Sequence, residues 1–171
     1  MKRVYVEELS QHAGQDVEIA GWLYNQRGSG KILFLLLRDG TGIVQSVISK
    51  KEVDETSWEI ANSLTQETSI IIRGKVNKDE RAPGGYELWI TGLEKVGDSE
   101  DYPISLKEHG TTFMLDHRHL AFRSKKPHAI LRIRHEIISA IRDFFNGRGF
   151  INFDTPIFTP NAVEGLSLIH I

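Results

Sequence analysis

Lys31-Ile32-Leu33-Phe34-Leu35-Leu36-Leu37-Arg38, then Asp39-Gly40-Thr41-Gly42, then Ile43-Val44-Gln45-Ser46-Val47-Ile48 decide how the first hundred residues fold. The first segment is a continuous apolar run of strand length, and Asp-Gly at its end is a strong hairpin signal. Gly42 to Ile48 is the returning strand. Toward the amino terminus, Val17-Glu18-Ile19-Ala20-Gly21-Trp22-Leu23 alternates partly between apolar and polar, as a half-buried strand does. It ends in the polar, glycine-containing stretch Asn25-Gln26-Arg27-Gly28-Ser29-Gly30.

Toward the carboxyl terminus, Glu52 to Thr65 places Trp58, Ile60, Ala61 and Leu64 close to helical spacing, with Asp54 or Thr56 able to cap. Ser69 to Val76 is a β-branched strand, Asp79 to Gly85 a proline and glycine turn, and Tyr86-Glu87-Leu88-Trp89-Ile90-Thr91 alternates again. Five strands with one helix between the third and fourth is the order of an OB-fold, the small Greek-key barrel that binds oligonucleotides. Another small barrel fits the pattern equally.

The 171 residues are 40% hydrophobic and 26% charged, a globular composition with room for a small domain and part of another. Lys and Arg number 21 against 23 Asp and Glu, and the formal charge is -2, so no global positive field holds a polyanion. Residues 1–100 carry 12 basic against 16 acidic side chains, a net of -4, so any nucleic-acid contact must rest on a few placed groups. The absence of cysteine excludes disulfides, thiolate zinc sites and cysteine nucleophiles. The opening MKRVYVEELSQ lacks the apolar core of a signal peptide, and no run approaches the ~20 apolar residues of a spanning helix. A cytoplasmic location is the expectation.

Residues 97–125 change character. Gly97 to Pro103 reads as a linker, followed by mixed polar sequence in which Asp116, His117 and His119 form no complete ligand set, so no metal is expected. From Pro127, which suits a first helical turn, Ile130, Ile133, Ile137, Ile141 and Phe144 recur every three or four residues. Leu131, Ile138 and Phe145 form a second stripe, so the helix needs two partners, one its own core and the other a second subunit. Gly147 and Gly149 end it, and Phe150-Ile151-Asn152-Phe153-Asp154-Thr155-Pro156 reads as a strand closed by proline. Leu166 to Ile171 fits nothing before it and, back-translated, resembles a library-preparation adapter, so residues 166–171 are expected to be a scar. The natural protein is expected to continue past Gly165.

Gly21-Trp22, Arg27, Phe34, Arg38-Asp39, Gly42 and Gln45 stand at spacings that resemble the anticodon-binding domain of class IIb aminoacyl-tRNA synthetases. Single-stranded loops offer unstacked bases, read by aromatic stacking and by bonds to base edges. The resemblance implies that Arg27, Phe34, Gln45 and Glu87 meet the anticodon: a guanidinium for phosphate or base, a ring for stacking, an amide for a base edge, and a carboxylate for the N–H groups of guanine. Phe34 alone, among Ile32, Leu33 and Leu35, reads as core; its value lies in the joint pattern. Arg38-Asp39 is expected to support the hairpin turn.

Arg148-Gly149-Phe150 through Pro156 resembles motif 1 of class II synthetases, a helix and strand that form the dimer interface, which implies Ile138, Phe145 and Pro156 in that role. Asp101-Tyr102-Pro103-Ile104, Lys107-Glu108-His109-Gly110, Asp116-His117-Arg118-His119-Leu120 and Ala162-Val163-Glu164-Gly165 resemble bacterial asparaginyl-tRNA synthetases in particular. Glu164 then lies at the amino-acid pocket, where a carboxylate suits the substrate ammonium.

The resemblance implies an OB-fold anticodon-binding domain over 1–97, a linker or hinge over 98–125 and, over 126–165, the first helix and strand of a truncated α+β class II catalytic domain. It implies asparagine, ATP with Mg2+, asparagine tRNA and a homodimer for the intact enzyme, and no membrane. The arginine motifs that bind ATP are missing from these residues, so no cofactor binding, no catalytic residue and no adenylation are expected of this chain. An aspartyl enzyme of relaxed tRNA specificity and a free-standing single-stranded-RNA or tRNA-binding module are the alternative readings.

Overall fold

The computed structural model describes residues 1–158. It divides into two compact units, the first Met1–Ser105 and the second beginning at Leu106. The first unit contains strands β1 (Lys2–Arg3), β2 (Asp16–Ser29), β3 (Ile32–Arg38), β4 (Ile43–Ser49), helix α1 (Glu55–Ser63), and strands β5 (Ser69–Lys78) and β6 (Tyr86–Gly97). Short 3-10 turns at Val6–His12 and Pro83–Gly85 complete it.

The long strands close into a five-stranded barrel with α1 between the third and fourth, the OB-fold order. Closure depends on β2. Its first half pairs antiparallel with β5, from Asp16 opposite Lys75 to Trp22 opposite Ser69. Its second half pairs with β3, from Trp22 opposite Arg38 to Ser29 opposite Ile32, with a bulge between Leu23 and Asn25 that bends the strand from one partner to the other. β4 and β6 run parallel, and β5 and β6 close the remaining side. Alternation sends Ile19, Leu35, Leu37, Val44, Ile48, Ile72 and Leu88 into a common core in which each is completely buried.

The stretch Asn25–Gly30 corrects the sequence reading. It is strand as far as Ser29, because pairing with β3 satisfies its backbone although its side chains are polar. The other elements of this unit lie where the pattern puts them, with β5 and β6 extended by two and six residues. Asp54 caps α1 by accepting from the Ser57 N–H at 2.8 Å.

Glu18 ties four strands together. Its Oε1 accepts from Nε and Nη2 of Arg3 at 2.9 and 2.8 Å, and its Oε2 accepts from Arg73 Nε at 2.9 Å. Arg73 continues to Glu94 at 3.1 Å. The hydrogen bond from Arg3 is the main cause holding the Glu18 carboxyl below its ordinary value, assisted by Arg73 and opposed by partial burial. A depressed carboxylate contributes stability above its unfolded pKa, about 4.3, and loses it as pH falls through the folded value. Glu18→Gln is therefore expected to lower stability at pH 6–7 and to converge on the parent below about pH 3, measured by urea unfolding across pH. Parallel curves would contradict this.

The second unit holds α2 (Thr111–Asp116), α3 (Arg118–Ala121) and α4 (Lys125–Asn146). Two short helices thus occupy part of the segment expected to be linker. In α4 both apolar stripes are exposed, Ile130 and Ile137 at 55% and Ile138 at 39%. Gly147 caps it, and Phe150 folds back so that its N–H meets the Phe145 carbonyl at 3.2 Å. Phe150 to Pro156 is irregular rather than the expected strand. A strand exists by pairing, and no described segment offers these residues a ladder. Among the described residues no helix is long and apolar enough to cross a membrane. Residues 166–171 lie outside the described residues.

Candidate nucleic-acid interface

The outward positions of the barrel line up in two transverse rows. Register places Arg27 opposite Phe34, Phe34 opposite Val47, Val47 opposite Trp89 and Trp89 opposite Lys75. One residue-pair further along stand Asn25, Leu36, Gln45, Glu87 and Asn77. The first row reads cation, ring, aliphatic, ring, cation; the second is mainly amide and carboxylate. Neighbouring strands lie about 4.8 Å apart, so each row crosses the sheet as a continuous strip.

Phe34 alternates with buried Leu33 and Leu35 and is itself only partly buried, so its ring belongs to the outer face rather than the core. The Arg27 guanidinium lies 5.5 Å from the ring centroid. Arg27 Nη2 donates to Gln45 Oε1 at 2.9 Å, and Gln45 Nε2 donates to Glu87 Oε2 at 3.3 Å. The indole Nε1–H of Trp89 donates to Glu87 Oε1 at 2.6 Å. Gln45 and Glu87 are each only 9% exposed although they face outward. The four side chains form one relay of charge-assisted bonds that holds amide and carboxylate in fixed orientations.

The relay leaves capacity for a ligand. Each oxygen of Glu87 accepts one bond within it and has a second lone pair, so the carboxylate can receive two parallel N–H donors. Gln45 keeps one N–H and one lone pair, and Arg27 keeps further donors. Beside them Phe34 offers a π-face. Aromatic faces next to fixed edge-reading groups and cations are the equipment of a single-stranded nucleic-acid site.

Arg27, Phe34, Gln45 and Glu87, dispersed over sixty residues of sequence, thus share one surface. Trp89 and Lys75 belong to it as well and escape a motif-based reading. The available signal is the alternation of Tyr86 to Thr91, which puts Trp89 on the face of Glu87. On α4, Ile138 and Phe145 are 39% and 46% exposed, and Phe145 meets Phe144 and Phe150 edge-on at 5.4 Å each. Pro156 is exposed in irregular chain. Glu164 lies outside the described residues.

Comparison with known proteins gives two family matches: an OB-fold nucleic acid binding domain over residues 17–96, and tRNA synthetases class II (D, K and N) over residues 110–167. The asparagine-tRNA ligase of Pelotomaculum thermopropionicum is 52% identical over 165 residues, 96% of this chain and 38% of the relative. That of Thermus thermophilus is 49% identical over 164 residues, 95% of this chain and 37% of the relative. The crystal structure of asparaginyl-tRNA synthetase from Pyrococcus horikoshii complexed with asparaginyl-adenylate superposes with a TM-score of 0.84 at 38% identity, covering 96% of this chain and 39% of that one. The chain therefore spans less than two fifths of the length of these relatives. Among the described residues no group of three or more His, Asp or Glu side chains is placed to hold a metal ion.

Proposed function

We propose, starting from a chain that belongs to the class II tRNA synthetases of the D, K and N group, that its barrel reads the anticodon loop of asparagine tRNA. The observation that carries this reading is the Arg27-Gln45-Glu87-Trp89 relay beside the outward ring of Phe34. A splayed base stacks on Phe34, its phosphate or edge meets Arg27, and Gln45 and Glu87 test the hydrogen-bonding edge of a neighbouring base. Guanine suits Glu87, since its adjacent imino and amino groups present two parallel donors to the two oxygens. The -4 balance of residues 1–100 fits recognition by a few contacts rather than by a general field.

In a protein of the relatives' length, the same reading makes the whole an asparagine-tRNA ligase. It would activate asparagine with ATP and magnesium, pass it to the tRNA, act in the cytoplasm and pair as a homodimer. The exposed stripe of α4 carrying Ile138 and Phe145, with Pro156 beyond it, is the surface we assign to that pairing. Glu164 is assigned to the asparagine ammonium group. The residues of this chain supply recognition and part of the interface, and no adenylation chemistry is assigned to them.

Phe34→Ala is the test. It is expected to weaken binding of an asparagine anticodon stem-loop by ~1–3 kcal/mol while the far-ultraviolet spectrum and melting temperature stay near the parent's, because the ring lies outside the core. Unchanged affinity in a folded variant would remove the proposed role of Phe34 and with it the basis of the reading.

A further inference from the structure

The proposed reading uses one ring, but the platform presents two. Trp89 is 41% exposed, stands in the row of Phe34, and is separated from it by Val47 on the intervening strand. Two strand spacings put the two residues about 10 Å apart. Two rings sandwiching one base stand about 6.8 Å apart, twice the ~3.4 Å spacing of stacked bases, so positions about 10 Å apart suit two nucleotides of one loop better than a single clamped base. The indole N–H is already engaged with Glu87, which fixes the ring plane and leaves only the π-face for a ligand. Lys75, exposed and paired in register with Trp89, places an ammonium at the end of the same row.

We propose that Trp89 forms a second nucleobase subsite, stacking an unpaired base of the same RNA loop other than the one on Phe34, with Lys75 taking an adjacent phosphate. This rests on the barrel being the RNA-reading surface. Because the ring contributes a face and no free donor, the contact tolerates any base, whereas the Glu87 carboxylate it orients discriminates. Trp89 thus joins two tasks: its face contributes affinity, and its N–H contributes selectivity through Glu87.

Trp89→Phe and Trp89→Leu separate the tasks, since both lack the N–H and only the first keeps a ring. Titrating the full chain with the asparagine anticodon stem-loop is expected to find Trp89→Phe binding about tenfold more tightly than Trp89→Leu, and both discriminating less well than the parent against a loop whose guanine is replaced by adenine. Stem-loops with one abasic position at a time then locate the subsite. The position whose loss costs nothing further in Trp89→Leu is expected to differ from the one that costs nothing further in Phe34→Ala. Equal affinities of the Phe and Leu variants, or coupling of both rings to the same nucleotide, overturn the second subsite while the barrel reading stands. If folded Phe34→Ala binds as the parent does, the barrel reading itself fails.

Discussion

Replacing Arg38 by alanine is expected to destabilise the barrel by ~3–5 kcal/mol, the cost of removing one member of a buried ion pair. Nη1 and Nη2 of Arg38 donate to the two oxygens of Glu67 at 2.8 and 2.7 Å, and the Glu67 side chain is only 1% exposed. The Trp22 ring lies 5.9 Å from the guanidinium carbon. Without the guanidinium, a carboxylate held out of water loses its countercharge. The backbone adds to the cost of rearrangement: Glu67 has φ of 67°, and its N–H is bonded to the Leu23 carbonyl at 2.7 Å, so it is held in place beside the β2 bulge. A melting temperature lower by more than about 12 °C should accompany the loss. Adding Glu67→Gln to Arg38→Ala should recover part of it, because the buried charge is then gone. A loss below about 1 kcal/mol for Arg38→Ala would show that this pair behaves like a solvated one.

The second large effect is expected at Gly74, where the barrel wall passes close beneath the platform. A Cβ built there would lie 2.1 Å from the Trp89 carbonyl oxygen and 2.8 Å from its carbon, both backbone atoms that cannot rotate away. Gly74→Ala must push β5 from β6 at the register shift between Arg73 and Gly74. We expect a loss of ~3 kcal/mol, at the upper end for overpacking. Surviving folded protein should bind the stem-loop more weakly, since the displaced backbone carries Trp89. Gly92→Ala is the control, because a Cβ there meets only the Arg73 Cβ at 4.0 Å. Equal stability of the two variants by urea unfolding would contradict the close-approach argument.

The hairpin turn illustrates how much of the architecture is written locally. Asp39 accepts from the N–H groups of Val6, Thr41 and Gly42 at 2.8, 2.7 and 2.8 Å, the turn-supporting role expected of it, whereas Arg38, expected to share that role, bonds to Glu67 instead. Two of those partners follow in sequence; Val6 comes from the amino-terminal 3-10 turn, which no periodicity announced. The strand assigned to Phe150–Pro156 failed for the complementary reason, since a short apolar-rich segment is only an offer to pair and requires a partner strand to accept it.

Local pattern alone determined the succession of strands along the chain, the helix between the third and fourth strands and the two apolar stripes of α4, and it narrowed the helix cap to Asp54 or Thr56. These follow from side-chain periodicity and turn chemistry, which act over a few residues. Tertiary structure alone decided that Arg27 lies in a strand, that Gln45 and Glu87 are joined into one relay, and that Trp89 stands across Val47 from Phe34. Periodicity tells which face of a strand a side chain takes, but not which residue of another strand stands beside it. That depends on register between segments up to sixty residues apart, set when the buried faces close into one core.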